Sequence, residues 1–252
     1  FSASDVMELL HRGRDPGGRD GQFWVLDPID GTKGFVRDAQ YAIGLGLVRD
    51  GEVILGTIAS PSLPALGGDV TRRAEGQGWL FAGLRSWAGA IGLEACRARL
   101  REPTPPPDGG WRAVLEPLRV APTCRLEDGV MCESYEASHS CSNEIRDNSR
   151  QLKAMADLRL DSMSKYGLVA RGEAHVYLRG SLTASRRESI WDHCPGVPIV
   201  LAAGGEVTDL RGRPLDFGCG RKLSNNVGVL ATNGSLHAQV LAELQRQHPG
   251  SA

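Results

Sequence analysis

The sequence has no C-x-x-C pair of cysteines, no hydrophobic run close to the roughly 18 residues of a membrane span, and no excess of charge of one sign. Its six cysteines also lack zinc-binding spacing, which favours free thiols in a reducing compartment over a disulfide framework. A net charge of −1 gives no general attraction to nucleic acid or to an anionic membrane. We therefore expect any anionic ligand to be held by a local site.

What the sequence does contain is ordinary for a globular protein. Its 252 residues are 41% hydrophobic and 23% charged, and a chain of this length can bury a sizeable core. No pattern typical of a signal peptide is visible. From these features we predict a soluble, intracellular monomer with no nucleic-acid or membrane partner.

The most informative stretch is D-P-I-D-G-T-K-G-F at residues 27–35, directly after the apolar run 23–26. The run is typical of a short strand, and the proline and glycine behind it predict a turn. Asp27 and Asp30 can then offer oxygens to a hard cation such as Mg²⁺, and the N–H groups after Gly31 can face a phosphate if a helix begins there. The alternative is a strand-end turn in which these residues serve only turn geometry.

The predicted elements divide the chain into two parts. The first part contains a helix at 4–12, a hairpin with its turn at Asp50-Gly51, and a strand at 78–82. The proline-rich stretch 101–110 cannot continue a backbone ladder. The elements predicted for the second part are a strand at 130–133, helices at 142–156 and 165–171, a strand at 174–179, a helix at 190–203, strands at 206–208 and 226–231, and a helix at 235–246. We predict an α+β portion over residues 1–120 and an α/β portion over residues 121–252.

A second informative stretch is W-D-H-C-P-G at residues 191–196, at the start of the predicted helix 190–203. Asp192 can cap that helix, or it can be a third metal ligand. Pro195 is acceptable in a first helical turn, whereas Pro198 lies deeper and is expected to kink or delay the helix.

Taken together, D-P-I-D-G-T and the later W-D-x-x-x-G resemble the lithium-sensitive, magnesium-dependent inositol monophosphatase superfamily. Within it, the sequence is most similar to the 3′(2′),5′-bisphosphate nucleotidases, which convert 3′-phosphoadenosine 5′-phosphate to AMP. Residues 136–140, 161–167, 174–179 and 190–193 also carry this similarity. The resemblance implies a layered αβαβα sugar-phosphatase fold, Mg²⁺ as cofactor, a small nucleotide as substrate and a role in sulfur metabolism.

The resemblance also implies roles for individual residues. Mg²⁺ is expected to be bound by the carboxylates of Asp27, Asp30 and Asp192 and by the backbone carbonyl of Ile29, whose side chain cannot be a ligand. Thr32 is expected to polarise the attacking water, with Asp27 beside it in the catalytic set. The residues expected to contact the substrate are Gly31, Thr32, His139, Ser162, Lys165 and Arg179. Four of these residues also have a structural explanation when each is considered alone. His139 can be a loop histidine, Ser162 a helix cap, Lys165 a solvated charge and Arg179 the end of a strand.

The sequence departs from the family in two places. The family carries a further metal-binding glutamate and a water-activating aspartate in helices upstream of D-P-I-D-G-T, and this chain does not contain those helices. Since the first residue is Phe1 rather than Met, we expect a longer chain upstream that supplies them. The family also has small residues where this chain has Cys194-Pro195. Two alternatives stay open, namely an inositol phosphate phosphatase and a nucleotide-binding remnant with impaired catalysis.

Overall fold

The computed structural model describes residues 2–74, 78–85, 94–100, 115–135, 152, 155–180 and 187–247. Helix α1 (Ala3–Arg12) leads into the first sheet, and helix α2 (Thr32–Val36) follows its first strand. The strands of this sheet are β1 (Gln22–Asp30), β2 (Ala42–Arg49), β3 (Glu52–Ser60), β4 (Trp79–Leu84), β5 (Glu94–Arg99) and β6 (Glu116–Pro117). Within the described residues they pair antiparallel in chain order. The hairpin predicted at Asp50-Gly51 is confirmed, and both turn residues have positive φ, at 51° and 79°.

The second sheet lies in the C-terminal half of the chain. Its strands are β7 (Val130–Glu133), β8 (Ala156–Arg159), β9 (Val176–Arg179), β10 (Glu206–Thr208) and β11 (Val229–Thr232). In the described part of the chain their order is β10-β11-β9-β7-β8, with β7 parallel to β8 and β9 and the other pairs antiparallel. Strand β9 is therefore central, and Arg179 is its last residue.

Two helices, α3 (Ser164–Ala170) and α4 (Val197–Ala202), pack between the sheets. Apolar side chains of both sheets and both helices form one core, which includes Ile58, Phe81, Leu168, Tyr177 and Ile199. A fifth helix, α5 (His237–Gln247), covers the opposite face of the second sheet. The described residues therefore stack as sheet, helices, sheet and helix, which confirms the predicted layered α/β architecture.

A row of glycines lets the segment after Asp192 lie directly on the first sheet. Gly46 and Gly56 are paired across β2 and β3. A Cβ at Gly46 would overlap the Sγ of Cys194, and a Cβ at Gly56 would overlap the carbonyl oxygen of Pro195. Larger residues would push this segment away, so the glycines fix how closely Asp192 approaches β1.

The opposite face of the first sheet is apolar and, within the described residues, open to solvent. Five large side chains on that face are between 36% and 57% exposed, namely Trp24, Leu26, Ile43, Leu80 and Leu84. The pairing of β1 to β4 places them side by side. Apolar faces of this kind are typical of contact surfaces.

Two of the predicted boundaries that were wrong lie next to Asp27 and Asp192. Strand β1 does not end at Leu26 but continues to Asp30 through an irregular pairing. The predicted helix 190–203 is a short 3₁₀ helix over Ile190–Asp192, followed by turns and then α4, which starts at Val197. Pro198 lies in the first turn of α4, so the delay expected from this proline is confirmed.

Other predictions were incomplete. Strands β5 and β8 were missed, and the predicted helix 142–156 was wrong at its end, since Ala156 begins β8. The proline-rich stretch 101–110 and most of 142–156 lie outside the described residues. The division of the chain at residue 120 stays a prediction. The five described cysteines carry free thiols, and no helix within the described ranges is long and apolar enough to cross a membrane.

Candidate metal centre and anion pocket

An irregularity in β1 brings the two aspartates of the D-P-I-D motif to one side of the strand. Asp27 pairs with Gly44 and Asp30 pairs with Ala42, so three steps along β1 oppose two steps along β2. Side chains two residues apart on a strand share a face, and the extra residue in β1 gives Asp27 and Asp30 that relationship. Without the bulge, two residues three apart would point to opposite faces.

The third carboxylate of the cluster is that of Asp192, which ends the 3₁₀ helix Ile190–Asp192 beside β1. One carboxylate oxygen from each of Asp27, Asp30 and Asp192 lies within 4.8 Å of the other two. The residues are 165 positions apart in sequence at their widest, and the structure brings them together. The sequence-based expectation that they share one site is thus matched by their positions.

The cluster holds negative charge at close range. Burial, assisted by Asp30 and Asp192, raises the pKa of Asp27 to about 6. Burial and then Asp192 raise the pKa of Asp30, although Lys165 and Arg179 favour its charged form. Carboxylates that crowd in this way are stabilised by a cation between them, which fits the donor set of a hard divalent ion.

The residues that flank Asp30 on either side, Ile29, Gly31 and Thr32, are fixed by local contacts. The Ile29 N–H donates to Oδ1 of Asp27 over 3.2 Å, and the Thr32 hydroxyl donates to the Ile29 carbonyl over 3.3 Å. Gly31 precedes α2 with φ of 77°, and a Cβ there would lie 2.9 Å from the Cβ of Ser162. A residue with a side chain is therefore excluded from position 31 by both conformation and space.

A second loop supports Asp30 from the other side. The backbone N–H of Met163 donates to Oδ2 of Asp30. The preceding residue, Ser162, has φ of 73°, a left-handed conformation that is costly for a residue with a side chain. Such strain is stored at sites where the surrounding structure fixes the backbone, and here it accompanies the close contact with Gly31.

Lys165 is placed on α3 with its ammonium group in the interior. Its Nζ donates to the carbonyl oxygens of Ser162 and Leu160 over 2.7 and 3.1 Å. Burial lowers its pKa to about 8, although Asp30 favours the charged form. The residue lines the pocket but is only 1% exposed, so the sequence-based alternative of a solvated charge was wrong.

Arg179 lies between two carboxylates. Its Nε donates to Oε2 of Glu188 over 2.8 Å, and a terminal nitrogen donates to Oδ2 of Asp192 over 2.9 Å. The sequence gives no reason to single out Glu188. Its partner Arg179 ends β9, and the two residues come into contact only because the fold places that strand end beside the segment before the 3₁₀ helix. The position of Glu188 four residues before Asp192 gave no indication of this contact.

A cavity of about 240 Å³ opens above these groups. It is lined by Asp30, Gly31, Thr32, Ser162, Lys165, Arg179 and Asp192, and also by Lys33, Ser134 and Asp161. The predicted substrate residues therefore share one pocket, except His139, which lies outside the described residues. The last three lining residues were not predicted from the sequence.

In the part of the chain that the structure describes, the donors that converge at the Asp27, Asp30 and Asp192 cluster are carboxylate oxygens. A donor set without cysteine or imidazole is typical of sites for hard divalent cations. A second group of side chains could also hold a cation, and it consists of Glu188, Asp192 and His193. Asp192 belongs to both groups. Both carboxylates of that second group bind Arg179, which already supplies them with a positive charge.

Comparison with known proteins identifies the family of this chain. The model of the inositol monophosphatase family matches residues 6–249. A 3′(2′),5′-bisphosphate nucleotidase from Emericella nidulans is 36% identical over 97% of this chain and 68% of its own length. The enzyme of the same name from Schizosaccharomyces pombe is 35% identical over 95% of this chain and 64% of its own length. The chain thus spans about two thirds of the length of these curated relatives.

Solved structures share the fold. An inositol monophosphatase from Zymomonas mobilis superposes with a TM-score of 0.61 at 20% identity, covering 96% of this chain and 81% of that one. For the IMPase from Thermotoga maritima the TM-score is 0.62 at 20% identity, with 98% and 81% covered. On the family match and the curated relatives, the chain belongs to the inositol monophosphatase family.

Proposed function

We propose that this protein is a Mg²⁺-dependent phosphoric monoester hydrolase that removes the 3′-phosphate of 3′-phosphoadenosine 5′-phosphate and yields AMP and phosphate. The relatives named 3′(2′),5′-bisphosphate nucleotidase support the substrate class. The observation that carries the proposal is the convergence of three carboxylates within 4.8 Å beside a pocket lined by the buried ammonium of Lys165 and by the largely enclosed guanidinium of Arg179. Negative and positive groups so arranged suit a metal ion and an anionic substrate together.

The residues that would hold Mg²⁺ are Asp27, Asp30 and Asp192 through their carboxylates and Ile29 through its carbonyl. When bound, Mg²⁺ supplies charge neutralisation of the phosphoryl oxygens and a water of lowered pKa. Asp27 is the least enclosed acid of the D-P-I-D pair and can accept a hydrogen bond from an attacking water. Thr32 orients that water through its hydroxyl, which is held on the Ile29 carbonyl.

The substrate would be held by the remaining pocket residues. Arg179 and Lys165 line the pocket and provide positive charge there, and Gly31 leaves room for the phosphate beside α2. Ser162 and His139 are proposed to complete the contacts to the nucleotide. An inositol monophosphate carries one phosphate and does not require two cations, so this set favours a substrate with two phosphates.

The proposal is tested by following phosphate release by ³¹P nuclear magnetic resonance. We expect the 3′-phosphate signal of the bisphosphate nucleotide to disappear with Mg²⁺, while the 5′-phosphate stays in place, and we expect Li⁺ to inhibit the reaction. Chelation by EDTA should stop it. Turnover of inositol 1-phosphate without turnover of the nucleotide would instead identify an inositol phosphatase, and binding of AMP without any turnover would identify a nucleotide-binding protein.

A further inference from the structure

Glu188 forms the centre of a buried polar chain that ends at Asp192. The Tyr166 hydroxyl and Nδ1 of His193 are 2.7 Å apart, and Nε2 of His193 lies 3.5 Å from Oε2 of Glu188. The same Oε2 accepts from Nε of Arg179 over 2.8 Å, and Arg179 in turn donates to Asp192 over 2.9 Å. Each group therefore fixes the next.

The chain has a defined direction of hydrogen bonding. The ionised carboxylate of Glu188 can only accept, so a neutral His193 ring that hydrogen-bonds to it uses Nδ1 as the acceptor for the Tyr166 hydroxyl. The ring then carries its proton on Nε2, which faces the carboxylate of Glu188. Tyr166 and His193 are completely buried, and Glu188 is 8% exposed. Water cannot replace these partners without entering the core, so the geometry of Glu188 is set by protein groups.

The backbone that carries Glu188 is also fixed. The Leu223 N–H donates to the Glu188 carbonyl over 2.9 Å, and the Lys222 ammonium donates to the Ser189 hydroxyl over 2.8 Å. A carboxylate on so rigid a support can hold the guanidinium of Arg179 in one orientation. A planar guanidinium bound on Nε by one acid presents its terminal nitrogen to the second acid at a fixed angle.

We propose that Glu188 is a positioning residue, which acts through Arg179 to hold Asp192 in the rotamer that faces Asp27 and Asp30. This inference rests on the proposed metal function and deepens it. Oδ2 of Asp192 is occupied by Arg179, and the carboxylate is thereby oriented toward the other two acids. Outer hydrogen-bond partners of metal ligands typically change metal affinity by about 10- to 100-fold when they are removed.

Two substitutions separate geometry from charge. Glu188→Asp keeps the negative charge but withdraws it by about 1.5 Å, one carbon–carbon bond, so the contact with Arg179 Nε is lost. Glu188→Gln keeps the length and an acceptor oxygen but removes the charge. Positioning predicts that Glu188→Asp weakens Mg²⁺ binding about tenfold, and that Glu188→Gln weakens it less. A purely electrostatic role predicts the reverse order.

The measurements are Mg²⁺ titration calorimetry on the full chain and the ¹⁵N resonance of the Arg179 Nε–H in metal-free protein. We expect that resonance to be slow to exchange in the wild type and to exchange rapidly in Glu188→Asp. Asp161→Asn is a matched control, because it removes a pocket carboxylate that binds Arg37 rather than Arg179. It should leave the Arg179 resonance unchanged.

The result that overturns the inference is a Glu188→Asp variant with wild-type Mg²⁺ affinity and a protected Arg179 Nε–H. If the wild type itself binds no Mg²⁺, the proposed metal function fails, while the Arg179 resonance still decides the role of Glu188. Melting curves identify a variant that does not fold. In that event Glu188→Gln, which conserves side-chain volume and an acceptor oxygen, carries the test: a loss of Mg²⁺ affinity of about tenfold in that variant, with the Arg179 Nε–H still protected, would reject the inference.

Discussion

Replacing Asp192 by asparagine should stabilise the metal-free protein and at the same time abolish its stabilisation by Mg²⁺. In the metal-free state the Asp192 carboxylate has oxygens of Asp27 and Asp30 within 4.8 Å and one attractive partner, Arg179, at 2.9 Å. At an effective dielectric constant of about 20, each repulsion amounts to about 3.5 kcal/mol and the attraction to about 6 kcal/mol. The substitution removes two repulsions and one attraction.

The two repulsions together therefore exceed the attraction by about 1 kcal/mol. We expect the free energy of unfolding of metal-free Asp192→Asn to rise by about 1 kcal/mol, which corresponds to about 2–4 °C in melting temperature for a chain of this size. In the presence of metal the order reverses. At a Mg²⁺ concentration of about 100 times the dissociation constant, the wild type gains about 2.7 kcal/mol, whereas a variant with 100-fold weaker binding gains about 0.4 kcal/mol.

The assay is thermal unfolding by circular dichroism with EDTA and with increasing Mg²⁺. A matched control is Asp128→Asn, which neutralises an exposed carboxylate that forms an ion pair with Arg125. The control should respond to Mg²⁺ as the wild type does. The reasoning is refuted if metal-free Asp192→Asn melts several degrees below the wild type, or if Mg²⁺ raises the melting temperature of the variant and the wild type equally.

Two further predictions concern the backbone of the site and the dependence of stability on pH. Gly31→Ala should lower the free energy of unfolding, measured with urea, by about 2–4 kcal/mol, because the added Cβ overlaps Ser162 and also strains the left-handed backbone. Gly67 has φ of 76° and open space around it, so Gly67→Ala tests the strain alone and should lower that free energy by about 1 kcal/mol. Equal losses in the two variants would show that the contact is unimportant. Burial lowers the pKa of His175 below 6.5, and its Nδ1 accepts from the Val130 N–H. As the pH falls, the imidazole is therefore protonated in the unfolded chain before it is protonated in the folded one, so the free energy of unfolding should fall as the pH drops below 6.5. Urea titrations at pH 7.5 and 5.5 should show a smaller fall in the free energy of unfolding for His175→Gln than for the wild type. An equal loss would exclude His175 as a source of the effect.

Local sequence patterns predicted the parts of this site that depend on neighbouring residues. The apolar run before Asp27, the Asp50-Gly51 turn and the glycine before Thr32 each specify a strand, a hairpin or a helix start over a few positions. The delay of α4 could be predicted as well, since Pro198 restricts only its own turn. Such features need no knowledge of the rest of the fold.

The remaining features depend on tertiary contacts. The bulge in β1 is defined by its register against β2, and no residue of the D-P-I-D motif is required to bulge in isolation. Glu188 lies on a stretch of polar residues, and only the approach of Arg179 gives it a role. Strand β5 was missed because its sequence, E-A-C-R-A-R, is rich in charge and alanine, and pairing with β4 overrides that low strand propensity.

The family resemblance contributed what pattern alone could not, which is the expectation that Asp192 joins Asp27 and Asp30. Composition and periodicity alone did not distinguish whether Asp192 caps a helix or binds a metal ion. In the structure the N-cap position of α4 is occupied by Gly196, and one carboxylate oxygen of Asp192 lies within 4.8 Å of oxygens of the other two acids. The alternative of a strand-end turn is wrong for Asp27, because β1 includes this residue and ends only at Asp30.

The most direct test of the metal centre is an anomalous diffraction map of crystals soaked in Mn²⁺, which takes the place of Mg²⁺ at oxygen sites. The account predicts a peak within about 2.2 Å of carboxylate oxygens from Asp27, Asp30 and Asp192 and of the Ile29 carbonyl. A peak between Glu188, Asp192 and His193 instead, with Arg179 displaced, or no peak near these residues at saturating Mn²⁺, would contradict it.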